Sequence, residues 1–185
     1  VADGDLTIHS PIGLEVRRRL PWLYLNTLTA LFAAWVISHY ETLIAQIAIL
    51  AVFQSVVAGM GGNAATQSLA MVVRAIALGD IEPKKAFKTI LKESGTGIIQ
   101  GVAVGLAVGL GVYLWKGNIV LAGVLCLALA GNMLVAVIAG TLIPLLLKAV
   151  RLDPALASSV LVTAVTDSVG FFLFLSLARV FQAYL

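Results

Sequence analysis

Read for hydrophobicity alone, the 185-residue chain is five long apolar runs joined by short polar stretches. The runs cover about Leu20–Ile37, Thr42–Gly79, Gly95–Trp115, Ile119–Leu147 and Ala155–Leu177. A helix of roughly 20 apolar residues crosses the ~30 Å hydrocarbon core of a bilayer, so each run predicts a spanning helix. Pro21 is expected to open the first helix, and Pro154 the last, because proline suits a first helical turn. The second run is longer than one crossing needs: 38 residues make a helix of about 57 Å. It either projects beyond the bilayer or breaks, and the pair Gly61-Gly62 is the expected break.

The third run carries glycine at every fourth place: Gly97, Gly101, Gly105 and Gly109. Such a stripe lets two helices approach closely. It serves either packing within one chain or a contact between two copies.

Composition turns this pattern into a class. Hydrophobic residues make up 61% of the chain and charged residues 11%, against about 25% charged in soluble domains. The expected fold is an all-α integral membrane protein with five transmembrane helices. Cys126 is the single cysteine, which excludes a disulfide within the chain and a thiolate metal cluster. It and the three methionines are read as packing, and His9 and His39, outside the spans, are given no role. The net charge of +3 does not indicate nucleic acid, because the basic residues gather at helix ends. With the N-terminus inside, the cytoplasmic joints hold ten basic residues (Arg17, Arg18, Arg19, Arg74, Lys84, Lys85, Lys88, Lys92, Lys148, Arg151) and the outer joints two (Lys116, Arg179). That bias predicts a cytoplasmic N-terminus and an external C-terminus. The polar opening "VADGDLTIHS" shows no cleavable signal.

Against this background Asp167 is conspicuous. It stands about 20 Å along the last helix, near the bilayer midplane, where a carboxylate costs about 2.5–3.5 kcal/mol on insertion scales. Ser159, Thr163, Asp167, Gly170 and Phe174 follow helical spacing and share a face. A salt bridge or a helix–helix hydrogen bond is one reading, but apart from Arg74 every basic residue lies at a segment end, which weakens the salt bridge; a protonated carboxyl in a proton relay is another. A third is an ion site beside a water-filled path. In the second run, "GMGGNAATQ" puts Gly59, Gly62, Asn63 and Thr66 on one face, offering carbonyl, amide and hydroxyl oxygen. Hard cations such as magnesium take oxygen ligands and keep several waters. The plainer alternative is a kink with close packing. Gln46, Gln54, Asn26 and Asn132 are read as hydrogen bonds between helices. A two-fold axis beside the fifth helices would pair two Asp167 carboxylates against one divalent charge. No nucleophile–base pair, phosphate loop or zinc spacing is present, so an enzyme is not expected.

Three stretches, "RRLPWLYLNTLTA", "GMGGNAATQSLAMVVRAIALGDI" and "LDPALASSVLVTAVTDSVGFF", resemble the transmembrane domain of the MgtE family of magnesium channels and transporters. The resemblance implies a homodimer of five helices per subunit, with the ion path at the subunit interface between second and fifth helices. It implies that Asp167 holds hydrated Mg2+. Gly59, Gly62 and Thr66 on the second helix, and Thr163 and Gly170 on the fifth, would border the ion. Asp153 matches a cytoplasmic-side acid near the regulatory part. Thr66, Ala65, Ser159 and Val160 depart from residues common in the family at those places, which leaves the coordination and pore width open.

The expected organisation is a cytoplasmic segment over residues 1–19, the end of a linker to a regulatory region, and a pore domain over 20–185. Family members often carry cytoplasmic magnesium-sensing domains. With about twenty residues before the first helix, this chain is read as an excised membrane domain or a natural short form, without that gate. The expected activity is movement of hydrated Mg2+ through the plasma membrane down its electrochemical gradient. The alternatives are a Na+- or H+-coupled Mg2+ exchanger and, from another class, a non-conducting membrane assembly module. The expected partners are a second copy, the bilayer and possible cytoplasmic regulatory domains.

Overall fold

The computed structural model describes residues 11–80, 86–150 and 154–185. It is all-helical among them: α1 Ile12–Ser38, α2 Glu41–Gln46, α3 Ile49–Ala77, α4 Ala86–Lys116, α5 Ile119–Ala149 and α6 Pro154–Val180, then a short 3-10 turn Gln182–Tyr184. All but α2 are long and apolar enough to cross a membrane. The expected five spans are therefore present, with three changes at their edges.

First, α1 starts nine residues before Pro21, so Pro21 lies inside the helix and does not open it. The preceding turns are mostly exposed and mix apolar residues with Glu15 and three arginines; Arg19 pairs with Glu15 at 3.5 Å, one turn apart. A proline is tolerated inside a membrane helix when the freed carbonyl finds another partner. Second, the long second run breaks before its middle. Ile47, at φ −125° and ψ 71°, separates α2 from α3, and α3 then runs unbroken through Gly61-Gly62. Away from water every backbone group must bond within its own helix, and the contact at Gly61 described below supports an unkinked backbone there. Third, α4 begins at Ala86, so much of the expected joint "GDIEPKKAFKTILKE" is helix.

The central element is α5. It packs against α4, α3 and α6, while α1 rests on α6. In lipid such packing rests on close van der Waals contact, because water expulsion no longer drives it. The glycine stripe supplies that contact within the chain. A Cβ at Gly97 would meet Leu134 and Val137, at Gly101 Ala130, at Gly105 Cys126 and at Gly109 Ala122. Each step of four up α4 is matched by a step of four down α5, an antiparallel register in which the backbones nearly touch. Cys126 is one of the seats of that seam.

Two apolar clusters fill the bundle. The larger holds Leu50, Phe53, Val57, Leu125, Leu129, Phe174 and Leu175. The smaller holds Ala64, Ala65, Met133, Ala136, Val137 and Val162. The α4–α5 turn is built by Gly117 at φ +71°, then by Asn118, whose Oδ1 accepts from the N–H groups of Val120 and Leu121. The Nδ2 of Asn118 donates to the carbonyls of Tyr184 and Leu185. Tyr40 and Ser176 share a 2.7 Å hydroxyl hydrogen bond. These contacts put the α1–α2 corner, the α4–α5 turn and the C-terminal turn at one end of the bundle.

Candidate ion site

Asp167 is the fourteenth of the 27 residues of α6, at the middle of the span and partly buried. Among the described residues no hydrogen bond or ion pair reaches its carboxylate. Arg74, the one basic residue at issue for a salt bridge, lies exposed in the last turn of α3 and so cannot stand at that depth. Ser159 and Thr163 are exposed on the same side of α6. The expected shared face leaves the outside there, since Gly170 and Phe174 are buried in the bundle. Two helices that cross at an angle touch over part of their length, so one face passes from outside to inside.

On α3 the whole expected set lies on the outer side. Gly59, Asn63 and Thr66 are exposed and Gly62 is partly exposed. A Cβ at Gly59 or Gly62 would meet nothing within 4 Å among the described residues, so the helix backbone is open to approach there. The Thr66 hydroxyl donates to the Gly62 carbonyl at 2.8 Å. That bond turns the lone pairs of Thr66 Oγ1 outward and leaves Gly62 less able to ligate a bare ion.

The opposite faces of α3 and α6 meet α5 at Asn132. Gly61 and Gly170 both abut its amide, which levels these two glycines with each other. Because α3 and α6 run antiparallel, Asp167, one turn before Gly170, comes level with Asn63 to Thr66, one turn after Gly61. Gly59 lies a turn or more further along. By that register the candidate oxygens follow along the helices in the order Thr163, Thr66, Asp167, Asn63 and Gly62, with Gly59 about a turn beyond. Among the described residues no three His, Cys, Asp or Glu side chains gather to hold a metal. A cation here would meet one carboxylate per chain and neutral oxygens, a set suited to an ion that keeps its water.

Several other expectations can be placed. Asp153 and His9 lie outside the described residues. Gln46 and His39 line a polar cavity of about 280 Å3 with Tyr40, Arg179 and Gln182. Asn26 is exposed on α1. Asn132 makes its interhelical bond, Nδ2 donating to Val57 O at 2.9 Å. Gln54 Nε2 is buried without a partner among the described residues. One residue went unweighed: Glu93, placed by sequence in a joint, lies inside α4 with 4% exposure and accepts from Ser68 Oγ at 3.4 Å. Its proximity to the lysine-rich stretch hid it.

A bundle of five membrane-length helices, with a carboxylate at mid-span that has no partner among the described residues, is the architecture of a multi-pass membrane protein. Residues 54–177 match the MgtE family, described as divalent cation transporters, and the chain belongs to that family, one of transporters and not of enzymes. It is 37% identical over 167 residues to the magnesium transporter MgtE of Enterococcus faecalis, covering 90% of this chain and 37% of that protein. Against the Bacillus subtilis magnesium transporter MgtE it is 32% identical over 177 residues, 96% of this chain and 39% of the relative. For the Thermus thermophilus protein of the same name the identity is 31% over 169 residues, 91% and 37% of the two chains. The chain spans less than two-fifths of the length of these relatives. The matched region begins in α3 and ends in α6, so both oxygen-bearing faces fall inside it.

Proposed function

We propose that the chain moves hydrated Mg2+ through the plasma membrane, as a homodimer whose ion path runs between subunits along α3 and α6. The observation that carries this reading is the placement of Asp167: mid-span, partly buried, without a described partner, and level with the outward Asn63 and Thr66. One carboxylate per chain leaves a divalent charge half matched, and a two-fold partner completes it. The polar faces lie on the outside of the bundle, where lipid would be an unfavourable neighbour and a second copy with water between is a suitable one. Relatives named magnesium transporters support the choice of ion.

Asp167, with the hydroxyls of Thr163 and Thr66 and the Asn63 amide, accepts hydrogen bonds from the waters of the ion. Gly59 and Gly62 keep the wall low enough for a hydrated ion to pass. A divalent ion entering across 100 mV is driven by about 4.6 kcal/mol, twice the 2.3 kcal/mol per charge, so no coupled energy source is needed. The excess of basic residues in the joints on one side supports a cytoplasmic location for residues 1–19, with residues 20–185 as the pore domain. The test is Mg2+ flux into liposomes holding only this chain. Flux without any Na+ or H+ gradient, lost in Asp167→Asn, is the expected result. Flux that requires a counter-ion gradient makes the protein an exchanger. No flux from a correctly folded dimer, or equal flux in Asp167→Asn, defeats the reading.

A further inference from the structure

We propose that Asn132 is a positioning residue that sets the spacing of the two ion-lining helices, acting as a polar wedge between Gly61 of α3 and Gly170 of α6. This rests on the reading that the ion path runs along α3 and α6.

Asn132 is fully buried and lies between the two apolar clusters, just after Leu129 of one and just before Met133 of the other. Its amide occupies the space that two side chains would otherwise fill. A Cβ at Gly170 would stand 2.6 Å from its Nδ2 and 2.9 Å from its Cγ, and a Cβ at Gly61 would overlap the same Nδ2. The backbones of α3 and α6 therefore both rest on one amide. Its Nδ2 also donates to Val57 O, tying α5 to the turn of α3 just before Gly61. Gly61 is next to Gly62 and two residues from Gly59. Gly170 is one turn from Asp167. A shift of the Asn132 amide therefore moves the oxygens of both lining helices relative to each other.

The polarity of the residue supports a role beyond filling space. Oδ1 is buried and has no hydrogen-bond partner among the described residues. In a bilayer an unpaired acceptor is costly, and an aliphatic side chain of similar volume would avoid that cost while losing the bond to Val57. What the amide adds is a fixed direction: one donor, held on one carbonyl, stops the wedge from rotating. This also assigns Gly170 differently from a pore-lining glycine. Its missing side chain faces Asn132, on the inner side of α6.

A double-mutant cycle separates the two roles of Gly170. The chain is reconstituted in liposomes, and maximal Mg2+ flux and half-saturating Mg2+ are measured beside the unfolding midpoint in detergent. Gly170→Ala is expected to lower flux about tenfold in the parent chain and less than about twofold in an Asn132→Ala chain, because the collision is gone. Gly61→Ala should follow the same pattern. Asn132→Ala alone is expected to raise half-saturating Mg2+ about threefold or more, since the oxygens of the site lose their set spacing; loss of folded protein alone would lower maximal flux and leave half-saturation unchanged. Equal cost of Gly170→Ala in both backgrounds, or an Asn132→Ala chain with unchanged half-saturation, overturns the proposal. If a variant yields no flux, the unfolding midpoints carry the cycle: the same non-additivity supports the wedge and additivity rejects it. Asp167→Asn, measured in parallel, judges the ion path itself: flux retained there rejects the path, while the midpoints still judge the wedge.

Discussion

Gly101 of α4 lies so close to Ala130 of α5 that a Cβ on the glycine would stand 2.9 Å from both the Cα and the carbonyl oxygen of the alanine. Backbone cannot move aside as a flexible side chain can. Gly101→Ala is therefore expected to destabilise the bundle by about 1–3 kcal/mol, the usual cost of overpacking. Gly111 on the same helix is exposed and open, so Gly111→Ala should be neutral or stabilising by up to about 1 kcal/mol. Unfolding in mixed detergent micelles measures both. Equal effects would mean that the α4–α5 seam is looser than described.

A second expectation concerns Asp167. Asp167→Asn and Asp167→Ala should reduce Mg2+ flux to the rate of empty vesicles while the protein remains folded, because removing the carboxylate also removes an insertion cost of about 2.5–3.5 kcal/mol. Asp167→Glu should bind the ion and pass it slowly, since one more methylene narrows the path. Cobalt hexammine, a trivalent complex shaped like a hydrated divalent ion with ligands it does not shed, should inhibit the flux. Absence of inhibition where Mg2+ itself saturates would mean that the ion passes stripped of its water.

Asn118 joins three parts of the chain through one amide. Asn118→Ala should cost about 0.5–2 kcal/mol through loss of the α5 cap and should release the 3-10 turn Gln182–Tyr184. Asn118→Asp keeps the accepting oxygen but loses the donor to Tyr184 and Leu185, so it should retain most of the stability and still release the turn. Hydrogen exchange over residues 182–185 beside thermal unfolding reports the two effects separately.

The distribution of basic residues predicts the side of each turn. In a Cys126→Ala chain, a cysteine at Lys116 should react with a membrane-impermeant maleimide on intact cells, and one at Asp80 should react only after permeabilisation. Both positions are exposed. The opposite pattern would invert the orientation of every helix.

Much of this was legible in the sequence. Five spans, their rough limits and the close approach made by the α4 glycines follow from hydropathy and spacing, which are local properties. So does the oddity of Asp167, since a charge among apolar residues needs no neighbour to be noticed. The errors were errors of context. Gly61-Gly62 reads as a break because glycine is flexible in isolation, yet Gly61 is held straight against Asn132. Gly170 and Phe174 read as continuing the Asp167 face because spacing alone cannot say where a neighbouring helix crosses. Glu93 reads as part of a joint because charged residues surround it.

The sequence by itself determined that this chain lives in a bilayer, how many times it crosses, which family it belongs to and which carboxylate stands at mid-depth. Those properties need only the chemistry of each residue and its neighbours along the chain. The tertiary structure alone decided which side of each glycine is filled: Gly101 by Ala130, Gly61 and Gly170 by Asn132, Gly59 and Gly62 by nothing among the described residues. A missing side chain is a space, and what occupies a space depends on residues tens of positions away, brought there by the packing of α5 against its three neighbours.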